Sequence, residues 1–81
     1  MEVLRLLGSE GDLTSASNVN YASLVRVNNT GSAAVVTHRD GSGVVGTVTL
    51  QANEIVYIRK QASDTLEGGA AFKVVKVAFS N

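Results

Sequence analysis

The chain contains no cysteine, no proline, no tryptophan and a single histidine in 81 residues. Without cysteine there is neither a disulfide nor a thiolate metal site. One histidine excludes a histidine-rich zinc centre. The missing cysteine also suits folding in a reducing compartment. Without proline, no strand is confined to a sheet edge on that ground. The aromatics are two Tyr and two Phe, too few for the stacking platform of a single-strand nucleic-acid binder. Seven basic and seven acidic side chains cancel to a formal net charge of zero. The electrostatic footprint of a nucleic-acid binder is therefore missing, and so is a safeguard against self-association. No run approaches the roughly 20 apolar residues of a membrane span. The opening MEVLRLLGSEG is too short an apolar run for a signal peptide and carries Glu2.

What remains is a single domain, residues 1–81. A chain this short buries only about 60–65% of its unfolded surface. With no disulfide and no metal to staple it, self-association is the device left to it. The strongest pattern is Val44–Lys60, VVGTVTLQANEIVYIRK. Val44, Gly46, Val48 and Leu50 share one parity and Thr47 and Thr49 the other. Ile55–Ile58 resumes the alternation after Gln51-Ala52-Asn53. Period 2 with β-branched and aromatic residues predicts strands, and the Asn-containing gap predicts a hairpin.

Further strands are expected over Glu2–Leu7, Tyr21–Asn28, Ser32–Arg39 and Phe72–Phe79. A helical turn is the rival reading of Glu2–Leu7. Asn29-Thr30-Gly31 and Asp40-Gly41-Ser42-Gly43 read as turns, so residues 21–60 are expected to form a four-stranded antiparallel meander. Gly8–Asn20 reads as a long loop pinned by Leu13 and Val19. In Gln61–Ala71, Ser63 or Asp64 is placed to cap one helical turn and Leu66 to plug the core. The first and last strands are positioned to pair. The expected fold is all-β, a small antiparallel β-sandwich or flattened barrel of about six strands.

Several strands are apolar on both faces. Val35 opposes Val36, Val44 opposes Val45, Val74 opposes Val75, and Ile55 with Tyr57 opposes Val56 with Ile58. A small sandwich needs one apolar face per strand. Either loop 8–20 and segment 61–71 cover the second face, or that face is an interface. The interface residues expected on this ground are Val3, Val35, Val45, Val56, Tyr57 and Val74.

No constellation for catalysis emerges, and no cofactor or metal is expected. His38 and Asp40 share a face of an extended chain, but no nucleophile or oxyanion site accompanies them. His38 reads as an exposed strand-end residue whose replacement by Ala is nearly silent. The Asp40–Gly43 run is followed by a strand and not by the helix a phosphate loop needs. Glu10, Asp12, Asp64 and Glu67 lack the spacing of a calcium loop. Arg26, Arg59, Lys60, Lys73 and Lys76 fall on strands as solvated or interface charges, and Tyr21 and Tyr57 as packing residues.

Three stretches carry a resemblance: SLVRVNNTGSAA at Ser23–Ala34, LQANEIVYIRK at Leu50–Lys60, and SDTLEGGAAFKVVKV at Ser63–Val77. A V-R-V strand runs into an N-T-G-S turn. A strand ending L-x-A-N-E is followed by V-x-I-x-K, then D-T-L and a lysine-containing last strand. In these features the chain resembles small structural proteins of tailed bacteriophages, including those of marine hosts. The resemblance covers most of the chain and implies a β-sandwich in the virion without enzymatic activity. Joined to the small size, zero charge and two-faced strands, it leads to an expected capsid decoration (cement) protein. Such a protein binds across capsid subunit joints as a homo-oligomer, with major capsid or tail proteins as partners and neither nucleic acid nor membrane. A tail, neck or baseplate component is one alternative. A carbohydrate-binding module for host recognition is the other.

Overall fold

The computed structural model describes the backbone of residues 3–80 and the side chains of residues 4–78. Every element is a strand: β1 Val3–Leu6, β2 Gly11–Leu13, β3 Leu24–Asn29, β4 Ala34–Asp40, β5 Gly43–Leu50, β6 Ile55–Arg59, β7 Thr65–Glu67 and β8 Gly69–Ser80. The fold is all-β and antiparallel, as expected, with eight strands in place of about six. The large sheet runs β1-β8-β3-β6, with β2 also on β8, and the small sheet runs β5-β4-β7. The two stack as a sandwich.

The core lies between the sheets. Val25 and Val27 of β3 and Phe72 and Val74 of β8 meet Val36, Leu50 and Leu66 of the small sheet. Leu13, Val19 and Ala22 close the cluster, with Ala34, Val56 and Ile58 packed against it. Leu13, Val19 and Leu66 thus anchor their segments as expected. Each of these strands supplies alternate residues, the period-2 rule at work. β1 pairs with the end of β8, Val3 opposite Ser80, so the first and last strands do join.

The expected meander does not form. β3 pairs with β6 and β8, and β4 with β5 and β7. Only β4–β5 is a hairpin of consecutive strands. The two turns flanking it are corners between sheets, and Asn29 is the reason. Its buried side-chain amide donates to the carbonyls of Ser32 (2.9 Å) and Leu50 (3.0 Å), and its Oδ1 accepts from Gly31 N–H (3.0 Å). Its backbone bonds the other corner: Asn29 N–H to Glu54 O, and Asn53 N–H to Asn29 O. Thr30 is tied to Ala71 O through both its amide and its hydroxyl. Each corner is therefore bonded to its neighbours in space as well as within itself.

The helical turn expected in 61–71 is also absent. Asp64 N–H bonds Gln61 O, and the Asp64 carboxylate accepts from Gln61 N–H. This closes a tight turn, after which β7 pairs with β4. Within the 8–20 loop lies the short strand β2. The chain then makes a left-handed turn through Val19, Asn20 and Tyr21, all at positive φ. Asn18 Oδ1 holds it by accepting from Tyr21 N–H (3.1 Å).

Candidate interaction surface

The two sides of the sandwich are closed differently. On one flank β2 pairs with β8, Ser17 and Leu66 exchange two backbone hydrogen bonds, and Gly68 N–H bonds Leu13 O. On the other flank β5 and β6 are both sheet edges. A gap of about 190 Å³ opens between them, lined by Val36, His38, Gly46, Thr47, Val48 and Ile58. Seven of the eight residues of β5 are exposed. The strand bulges at Val45, since Arg39 pairs with Val44 while His38 pairs with Gly46. The bulge moves Val44 from the Val48 face to the face of Thr47 and Thr49. Segments 8–20 and 61–71 thus close one flank and leave β5 uncovered.

The outer face of the large sheet is the second open surface. The register puts Arg26 opposite Tyr57 and Val75, Asn28 opposite Ile55 and Lys73, and Leu24 opposite Arg59. All of these point away from the core. Leu6 joins them across from Val77. Val75 and Val77 are nonetheless buried, crowded by their neighbours in the sheet, while Leu6, Ile55 and Tyr57 are exposed. The charges here are Arg26, Arg59 and Lys73, with Asp12 across from Lys73. Among the described residues the ion pairs are His38–Asp64 and Arg39–Glu67, so Arg26 and Arg59 face no carboxylate at pairing distance. A neutral chain therefore presents a locally basic, apolar face.

The interface residues expected from sequence divide between surface and core. Val35, Val45 and Tyr57 are exposed on β4, β5 and β6. Val74 is 2% exposed and belongs to the core, and Val56 packs against that core from β6. These two are corrected from interface to interior: the β3–β8 and β3–β6 registers turn both inward beside Val27. The side chain of Val3 lies outside the described residues. Exposed large hydrophobic residues not chosen from the sequence are Leu6, Leu7, Tyr21, Val44, Val48 and Ile55. Placing Val44, Val48 and Ile55 required knowing that β5 and β6 are edges.

At one end of the sandwich is a cleft of about 820 Å³, lined by Ser23, His38, Asp40, Val45, Arg59, Lys60 and Asp64, among others. His38 is not the exposed partner of Asp40. Its Nε2 lies 2.9 Å from Asp64 Oδ2, and both side chains are mostly covered. A carboxylate only accepts, so Nε2 carries the proton. The His38 bond is the main cause holding the Asp64 carboxyl below its ordinary pKa, against a burial cost and with help from Gln61 N–H and Lys60. Lys60 is buried, and its ammonium donates to the carbonyls of Ala22 (2.7 Å), Gln61 (3.2 Å) and Ala62 (3.3 Å). Burial pushes its pKa down, partly offset by Asp64. Each of these polar groups is bonded within the chain and helps to hold it.

The other motifs resolve locally. Asp40 Oδ1 accepts from Ser42 and Gly43 N–H (2.7 and 3.1 Å), making Asp40–Gly43 the β4–β5 hairpin turn. Gly43 there sits at φ +134°, where a side chain is strained. Asp12 is bonded to Thr14, Asp64 to His38 and Glu67 to Arg39, so these carboxylates do not converge. Among the described residues no group of three or more His, Cys, Asp or Glu is placed to hold a metal. The five cations do not form one stripe. Arg26, Arg59 and Lys73 share the outer face, Lys60 is buried, and Lys76 is on the opposite face across from Val25. Tyr21 is exposed in the turn before β3 and Tyr57 on β6. No family model, curated protein or solved structure matches the chain.

Proposed function

We propose that the chain is a structural protein of a tailed-bacteriophage virion: a capsid decoration protein that binds across the joints between capsid subunits. The observation that carries this reading is the outer face of the large sheet, where Ile55 and Tyr57 are exposed on β6 beside Arg26 and Arg59, with Lys73 and then Leu6 further across the sheet. Exposed apolar side chains set among unpaired basic ones on a small domain mark a protein contact. The strand and turn motifs that resemble those of small phage structural proteins are the ground for proposing a virion as its setting. Binding there stabilises the assembled shell by mass action, since the protein favours the joined subunits over separated ones. The partners are shell proteins with acidic, apolar surfaces, and the chemistry is non-covalent throughout.

The test is a reconstruction of the particle together with quantification of the chain in purified virions. Copies on the order of hundreds, spread over the shell by its symmetry, support the reading. A single ring of copies at neck, tail or baseplate transfers it to a tail component. Absence from the particle ends it.

A further inference from the structure

We propose that β5 pairs with β5 of a second copy of this chain, antiparallel and about a two-fold axis, so that the two small sheets become one continuous sheet. The contact between copies is an inference separate from docking on a shell, because it stands on a different surface.

An edge strand offers a row of unpaired N–H and C=O groups, and soluble domains usually guard it with charge, proline or a covering segment. β5 reads GVVGTVTL: it has neither charge nor proline along eight residues. Its one irregularity is the bulge at Val45. From Gly46 to Leu50 the pairing with β4 is regular, so the outward edge there is straight enough to accept a strand.

Charge selects the occupant. An edge built for an acidic or a basic partner would carry the opposite sign, whereas this one is uncharged. Two identical edges can meet only when no like charges are brought face to face, and here none are. The nearest acidic residues, Asp40 and Glu54, lie beyond the ends of β5. Zero net charge on the whole chain removes long-range repulsion between copies. An isologous contact also closes on itself and leaves no copy of β5 free to propagate.

Parity narrows the register. A two-fold axis normal to the sheet keeps each side chain on its own face, so only residues of equal parity can meet. Centring the contact on the regular segment puts Val48 opposite Val48 of the second copy, Thr47 opposite Thr49, and Gly46 opposite Leu50. Val48 is 42% exposed although its strand neighbour across the pair, Val36, is buried. It stands at the mouth of the β5–β6 gap. The second copy's Val48 would cover it there, and one contact would shield the open flank of both molecules.

The experiment is sedimentation equilibrium on the full chain from about 10 μM to 1 mM, a range that brackets the affinity of a small interface. We expect the dimer fraction to rise with concentration in the unmodified protein. Val48→Lys should be monomeric throughout, with far-UV circular dichroism and urea midpoint retained because the position is already half exposed. The chain has no native cysteine, so Val48→Cys gives a second readout. Mild oxidation should link it to itself, since directly opposed side chains lie within disulfide reach. Val35→Cys, exposed on β4 one strand in, should not link. A protein that stays monomeric at 1 mM, or a dimer that persists unchanged in Val48→Lys, overturns the pairing. Either result leaves shell binding through the outer face of the large sheet to be judged by its own test.

Discussion

Asn29 has no solvent-accessible surface, yet all its polar side-chain atoms are satisfied, two bonds leaving Nδ2 and one reaching Oδ1. Replacing it with Leu removes the side-chain partner of the buried Leu50 carbonyl and of the part-buried Ser32 carbonyl and Gly31 N–H. We expect Asn29→Leu to destabilise by about 3 kcal/mol, read as a lowered urea midpoint with unchanged slope. Asp64 makes a different kind of prediction. Its folded pKa lies below the ordinary 3.8, so the ionised form stabilises the fold at higher pH. That contribution is lost as pH falls through the folded value. Asp64→Asn should therefore lose stability relative to the parent at pH 6, and the gap should narrow at pH 2.5. His38→Ala should lose stability too, against the sequence-based expectation of silence. The reading of His38 as an exposed strand-end residue missed this pair because His38 and Asp64 are 26 residues apart and meet only through the β4–β7 register. A buried Asn in an N-T-G-S turn is equally hard to read, since turns use the same residue for its local bonds.

At the scale of elements, alternation revealed Val44–Leu50 and Ile55–Arg59 as strands but not which strands they join. Periodicity is a property of one strand, whereas pairing depends on contacts such as Asn29 with Asn53 and Glu54. β7, at three residues, is too short to show a period, and the bulge in β5 reverses the parity read for Val44. The approach of β7 to β8 is set by Gly68. A Cβ at that position would lie 2.7 Å from the Phe72 ring and 3.0 Å from Val35 O. Phe72 is fully buried and the carbonyl is backbone, so neither yields readily. Gly68→Ala should cost about 2 kcal/mol by overpacking, visible as a lower thermal midpoint. An equivalent change at Gly41, where a Cβ meets nothing within 4 Å, should be close to neutral.

The whole molecule is compact. Its radius of gyration is 11.8 Å, against about 11.7 Å for a domain of this length. Its accessible surface is 4851 Å², against about 4,600 Å² expected from mass. The open flank is therefore not a loosened fold: what is unusual is which atoms face water. The sequence disclosed an excess of two-faced strands. It could not say which faces the chain would cover, because Val75 is shielded by its own sheet while Val44 and Val45 are not. If the basic outer face docks on acidic shell proteins, Arg26→Glu with Arg59→Glu should abolish shell binding while leaving the stability measured in urea within about 0.5 kcal/mol of the parent. Binding by the parent should weaken as salt rises.

The position of the two tyrosines has an optical consequence. With no tryptophan, ultraviolet emission comes from Tyr21 and Tyr57, and both already face solvent in the native state, 66% and 39% exposed. Denaturation should change the Tyr21 part of that emission little. Capture by a large partner over the outer face should change it strongly, and in a Tyr21→Phe variant the whole signal would come from Tyr57. The Tyr57 ring, opposite Arg26 on the basic face, makes the protein a direct reporter of its own recruitment.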